Sequence, residues 1–145
     1  VKAIFKTLKA GGFSIILPDH VPDPSGGVTV PFFGIDCLTS TLAPKLASKT
    51  RCSLVGLTCV RRDDNTGFDI YCDTLNDENL YNKDVVIATT ALNQAMEGMI
   101  NRFPAQYMWG YKRFKNVLFV KNPYKLSEDN FQEFLTTLPF HNPKP

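Results

Sequence analysis

Long apolar stretches are missing from this 145-residue chain. No run approaches the roughly 18–20 residues needed to cross a bilayer, and no charged-then-apolar signal opens it. Its first residue is Val1 rather than Met, which fits either a processed protein or a piece of a longer one. Histidine is scarce, with only His20 and His141. The cysteines Cys37, Cys52, Cys59 and Cys72 show no C-x-x-C pair, so neither a zinc site of ordinary spacing nor a dithiol redox motif is indicated. Three of the four lie in apolar runs, where a free thiol behaves as a small hydrophobe. Charge of one sign is also lacking. Lys plus Arg is 16 against 14 for Asp plus Glu, too even for the concentrated basic face of a nucleic-acid binder. There is no G-x-S-x-G elbow and no G-x-x-x-x-G-K phosphate loop. No internal repeat or long linker appears, so length favours one domain or one incomplete domain.

The remaining pattern is that of an α/β chain. Val1, Ile4, Phe5 and Leu8 fall on one face of a helix that Gly11-Gly12 ends, and Phe13–Leu17 reads as a short buried strand. Val28-Thr29-Val30 reads as a strand that Pro31 confines to an edge or an end. Thr39 or Ser40 is expected to cap a helix to about Lys49, with Pro44 in its first turn. The apolar run 53–60, the turn cluster 63–67 and the alternating run 68–73 predict a β-hairpin whose second strand is half-buried. Val85, Ala88, Leu92, Ala95, Met96 and Met99 form a helical stripe within 84–102, and Pro104 ends it. Ser127 is placed to cap a last helix to about Leu138, and the Pro-rich end is expected to fray.

Two constellations carry potential chemistry. The first is Leu17-Pro18-Asp19-His20, followed by Gly26-Gly27-Val28-Thr29-Val30-Pro31-Phe32-Phe33-Gly34. An acid and an imidazole after a buried strand stand where α/β proteins place functional groups. A turn in which Asp19 caps backbone N–H groups is the commoner arrangement. Gly27 suits a tight turn or a close backbone approach to a ligand. Phe32 and Phe33 suit core or the wall of a pocket for a hydrocarbon. The second is Gln106-Tyr107-Met108-Trp109-Gly110-Tyr111-Lys112-Arg113-Phe114-Lys115. It interleaves cations and aromatics, as anion sites and membrane interfaces do, and as a charged face over an aromatic cluster also does.

Together, and in this order, the two constellations resemble the bacterial lipid A late acyltransferase family. That family's Leu-Pro-Asp-Gln loop is similar to Leu17-Pro18-Asp19-His20. Its Gly-Val-x-Val-Pro-Phe-Phe-Gly is similar to 27–34, and its Pro-x-Gln-Tyr-x-Trp-x-His-Arg-Arg-Phe-Lys to 104–115. Here His20 replaces Gln, and Tyr111-Lys112 replaces His-Arg. The resemblance implies an α/β sandwich around a mixed sheet, lysophospholipid-acyltransferase-like and incomplete at its N-terminus. Residues 1–115 would form the C-terminal part of the acyltransferase domain, and 116–145 an extension with one helix.

The implied function is transfer of a fatty acyl chain from acyl carrier protein to a hydroxyl of a lipid A precursor or related glycolipid. It would take place at the cytoplasmic face of the inner membrane, with no metal, redox cofactor or nucleic acid involved. Arg113, Lys112 and Lys115 would bind anionic groups. Phe32 and Phe33 would wall the acyl chain, Asp19 would position the acceptor or its catalytic base, and His20, Gly27 and Trp109 would complete the substrate surface. The family's His-x-x-x-x-Asp/Glu base motif has no counterpart, since Ser25 stands five residues after His20. The resemblance therefore places the base, and contact with the membrane surface, in an upstream part. A lipid-binding module without catalysis and an enzyme acting on another lipid acceptor are the competing expectations.

Overall fold

A computed structural model describes residues 1–117 and 120–138. The helices are α1 (Lys2–Lys9), α2 (Leu42–Thr50), α3 (Val85–Arg102) and α4 (Glu128–Thr136). The strands are β1 (Gly27–Phe32), β2 (Ile35–Ser40), β3 (Val55–Arg61), β4 (Phe68–Thr74), β5 (Asn116–Val117) and β6 (Val120–Lys121). One sheet has the order β1-β2-β5-β6, and β3-β4 form a second. The α/β class is as expected, but every pairing among the described residues is antiparallel rather than mixed. The connections explain this: β1–β2 and β3–β4 are hairpins, whereas parallel neighbours need a long crossover.

The β1–β2 turn is made by Phe33 (φ 49°) and Gly34 (φ 74°). Two successive positive φ angles match the twist of a two-residue hairpin. For Phe33 this conformation costs about 1–2 kcal/mol, offset by its N–H donating to Glu97 Oε1 at 2.7 Å. Pro31 sits in β1, an edge strand, where its missing N–H leaves no gap in the ladder. Strand alternation turns Val30, Phe32, Cys37 and Thr39 inward. α3 covers them with Ala88, Ala91, Leu92 and Met96, and Leu80 and Val117 complete the core. Asp84 caps α3, accepting from the Val86 N–H at 2.8 Å. β2 extends to Ser40 because the register runs out to Gly27↔Ser40. The cap position of α2 therefore falls to Thr41, whose side chain makes no cap bond, while Ser40 Oγ accepts from the Leu42 N–H at 3.3 Å; Pro44 lies in the first turn.

Phe13–Leu17 departs from expectation. It adopts no regular structure, and Phe13, Ile15 and Leu17 are 83%, 75% and 62% exposed. Among the described residues no strand pairs with it, and a strand needs a paired neighbour to satisfy its backbone. β4 is not the half-buried strand expected: none of its residues is buried, and its faces are reversed. Asp69 and Asp73 lie on the more covered side, where Asp73 pairs with Arg102 of α3, while Phe68, Ile70 and Cys72 face outward. Gly56 in β3 permits α3 to approach, since a Cβ there would lie 2.5 Å from Met99 Sδ. Cys37 is buried, but Cys59 and Cys72 are exposed thiols rather than core hydrophobes. Ser127 precedes α4 without a side-chain cap bond. β5 pairs with β2 through Cys37↔Val117, which joins the start of the 116–145 segment to the first sheet. His141 and the last prolines lie outside the described residues.

Candidate functional site

The two constellations meet. The Tyr107 hydroxyl donates to Asp19 Oδ2 at 3.0 Å, and the Val21 N–H donates to the Tyr111 hydroxyl at 2.9 Å. Between these bonds, the His20 ring stacks on Tyr111 with centroids 4.9 Å apart and planes 25° from parallel. Residues 19, 20 and 21 are thus each held by a tyrosine of the second motif. Asp19 reaches this position from a turn, not from the end of a buried strand. Burial first, and the Asp19 carboxylate second, push the Tyr107 phenol well above its usual range. It therefore stays a proton donor to Asp19.

Two lysines of the second motif lie over tyrosine rings. Lys115 Nζ lies 4.7 Å from the ring centroid of Tyr111, and Lys112 Nζ lies 5.7 Å from that of Tyr124. His20 and Lys112 are exposed and Lys115 is half-buried. Arg113 is different. It is 3% exposed, with Nη1 donating to the Leu38 carbonyl at 2.8 Å and Nη2 to Thr39 Oγ1 at 2.7 Å. Its guanidinium stands 5.2 Å from the Phe32 ring centroid. Asn93 Nδ2 also donates to Thr39 Oγ1, at 3.3 Å, and to the Pro31 carbonyl at 2.7 Å. The geometry makes Arg113 a brace between the second motif and β2, because the fork that was expected to hold a ligand anion is engaged by the protein.

The expected pocket wall divides similarly. Phe32 is fully buried core. Phe33 is half-buried, 4.9 Å from Phe32 and 5.8 Å from Trp109, which is 49% exposed. Trp109 Nε1 donates to the Pro104 carbonyl at 2.9 Å, so the indole is fixed with one face outward. At Gly27 a Cβ would lie 2.8 Å from both Pro22 Cγ and the Thr39 carbonyl. The close approach there is to the protein itself. Beside Asp19 and Tyr107 lies a trough of about 520 Å³, lined by Leu54, Leu57, Met96, Met99, Ile100 and Phe103 among others. Phe32, Phe33 and Arg113 do not line it.

Sequence reasoning missed Glu97, Asn93 and Thr39, which hold the hairpin turn and the buried polar network. The only trace of Glu97 and Asn93 is that each follows an apolar stripe residue of α3. Among the described residues no group of three or more His, Cys, Asp or Glu is placed to hold a metal ion, and no helix is long and apolar enough to cross a membrane.

Both motifs fall within the residues that match one class of enzymes, the acyltransferases of lipid A biosynthesis. Residues 1–116 match the family described as bacterial lipid A biosynthesis acyltransferase, and the chain belongs to that family. It is 32% identical over 117 residues to the lipid A biosynthesis lauroyltransferase of Escherichia coli (strain K12), covering 79% of this chain and 38% of that protein. It is 27% identical over 116 residues to the lipid A biosynthesis palmitoleoyltransferase of the same strain, and likewise to a lipid A biosynthesis acyltransferase of Shigella flexneri. Those matches cover 79% of this chain and 37% of each relative. The chain therefore spans less than two fifths of the length of these relatives.

Proposed function

We propose that these residues are the substrate-facing C-terminal part of an O-acyltransferase, with 116–145 as an extension and an α/β sandwich of the lysophospholipid-acyltransferase kind as the complete fold. The observation that carries this reading is the clamp of Asp19 and Val21 by Tyr107 and Tyr111, which joins the two motifs shared with the family. The acceptor is a lipid A precursor or related glycolipid, the donor an acyl chain on acyl carrier protein, and the place the cytoplasmic face of the inner membrane. A histidine–carboxylate pair elsewhere in the enzyme takes the proton of the acceptor hydroxyl. That oxygen attacks the thioester carbonyl, and the carrier thiolate leaves. His20, Lys112 and Lys115 supply positive or hydrogen-bonding contacts to anionic groups, Phe33 and Trp109 an apolar contact for hydrocarbon, and Asp19 the positioning of the loop. Arg113 and Gly27 support that surface from behind.

The test is expression of the complete coding sequence in a bacterium lacking its lauroyl transferase, with lipid A weighed by mass spectrometry. Gain of one acyl chain is expected, and at least a tenfold lower rate for Lys115→Ala in the purified enzyme, equivalent to about 1.4 kcal/mol of transition-state stabilisation. A stably produced protein that adds no acyl chain to lipid A, yet binds lipid A precursor, would leave the non-catalytic lipid-binding reading standing instead.

A further inference from the structure

The register of the β3–β4 hairpin sorts its side chains into two faces. Leu57↔Cys72 and Cys59↔Ile70 are direct pairs, so Val55, Leu57, Cys59, Phe68, Ile70 and Cys72 share one side. The opposite side carries Gly56, against Met99, and Asp73, paired with Arg102, and is covered by α3. Among the described residues no other strand or helix is paired with the first side; Arg61, on the same side, lies 4.6 Å from the Phe68 ring centroid. Val55, Leu57, Phe68 and Ile70 are 55%, 57%, 51% and 67% exposed. A two-stranded hairpin is at best marginal alone, and an exposed apolar patch of this kind marks an interface.

The edge of β3 away from β4 adds a second demand. Gln106 Nε2 donates to the Arg61 carbonyl at 3.3 Å, but no strand pairs with that edge among the described residues. The trough of about 520 Å³ runs beside it, between β3, α3 and the segment Ser14–Asp19. A hydrocarbon chain would fill such a trough but would leave the N–H and C=O groups of the edge without partners. An extended polypeptide satisfies both requirements.

We propose that this face and edge receive a strand-bearing segment of the same polypeptide lying outside residues 1–145. The segment hydrogen-bonds to the free edge of β3 and sets an apolar layer on Leu57, Phe68 and Ile70. Its source is argued from length: more than three fifths of each curated relative has no counterpart in this chain. The exposed residues Ile15 and Leu17 line the same trough. The inference rests on family membership and the geometry of the hairpin, not on the acyl-transfer reading, and neither measurement below reads acyl transfer.

Cys59 and Cys72 are natural reporters on the face, with buried Cys37 as an internal reference. The complete gene product and the 145-residue chain are each treated with a maleimide, and modification is followed by peptide mass spectrometry. Cys59 and Cys72 are expected to react at least tenfold more slowly in the complete product while it is a monomer. Equal rates in the two proteins, or a reading frame with no residues beyond these, would overturn the proposal. So would protection that appears only on dimerisation, which would assign the face to a second copy, or only on addition of a fatty acid, which would assign it to hydrocarbon. A second measurement needs only the complete product. Ile70→Asp places a charge where an apolar layer is proposed, and should lower Tm by about 5 °C or more and expose Cys59 and Cys72 to the reagent. An unchanged Tm would refute coverage of the face.

Discussion

Truncation of Arg113 separates a brace from a ligand contact. Two hydrogen bonds from a charged donor, at about 1.5–3 kcal/mol each, give a gross stabilisation of about 3–6 kcal/mol from the bonds to Leu38 and Thr39. Against this stands the cost of burying a cation. Among the described residues Arg113 makes no salt bridge, and its Nε has no partner. Relief of that cost returns part of the loss, so Arg113→Ala is expected to destabilise by about 2–4 kcal/mol. Arg113→Met keeps the apolar stem against Phe32 while removing the charge, and should cost less than Ala. The assay is urea unfolding followed by the fluorescence of Trp109, the single tryptophan. With a slope of about 2 kcal/mol per molar urea, a loss of about 3 kcal/mol moves the midpoint down by about 1.5 M. A midpoint within about 0.3 M of the parent protein, accompanied by loss of lipid binding, would refute the brace and return Arg113 to the ligand.

Tyr107→Phe removes the bond to Asp19 and should cost about 0.5–2 kcal/mol. An exposed tyrosine ionises near pH 10, and the folded Tyr107 holds its proton beyond that. The unfolded chain therefore gives up this proton first, so the stability contributed by Tyr107 is whole below about pH 10 and is lost as pH rises further. Absorbance titration at 295 nm should show the highest-pH phenol missing from the variant, and loss of an ordinary phenol instead would contradict the geometry. Glu97→Ala should cost about 1–3 kcal/mol by leaving the Phe33 N–H unpaired. Glu97→Gln, which keeps an acceptor oxygen, should cost less than half as much, and equal losses in thermal melts would show that the turn does not depend on this bond.

The elements legible in the sequence are those whose signals are local. Asp84 and Pro104 bound α3 because a cap and a missing N–H act within a turn. The β3–β4 hairpin follows from the polar cluster between two apolar runs. Pro31 marks an edge strand through its own chemistry. What failed depends on neighbours distant in sequence. Phe13–Leu17 has the composition of a strand, but no described strand pairs with it. The alternation in β4 was read correctly, but which side α3 covers is decided by Arg102 and by Gly56, neither of which alters the pattern. At the site, both constellations were legible as motifs, while the bonds that join them, Tyr107 to Asp19 and Val21 to Tyr111, and the division of roles within Tyr107–Lys115 were not. Arg113 and Lys112 are adjacent cations in the sequence, and only the backbone at Lys112, with φ 58°, turns one inward and leaves the other exposed.

The clamp also orders the events of folding. The bonds Tyr107–Asp19 and Val21–Tyr111 close loops of 88 and 90 residues, and contacts so distant along the chain are late and slow to form. During synthesis the loop around Asp19 leaves the ribosome well before its tyrosines. Until Tyr107 and Tyr111 emerge, a nascent chain holds the β1–β2 hairpin without its clamp, so premature termination between residues 40 and 107 removes the site while sparing the sequence of its first motif. A short hairpin can find its register at once, but this surface comes into being only once everything from Asp19 to Tyr111 has been made.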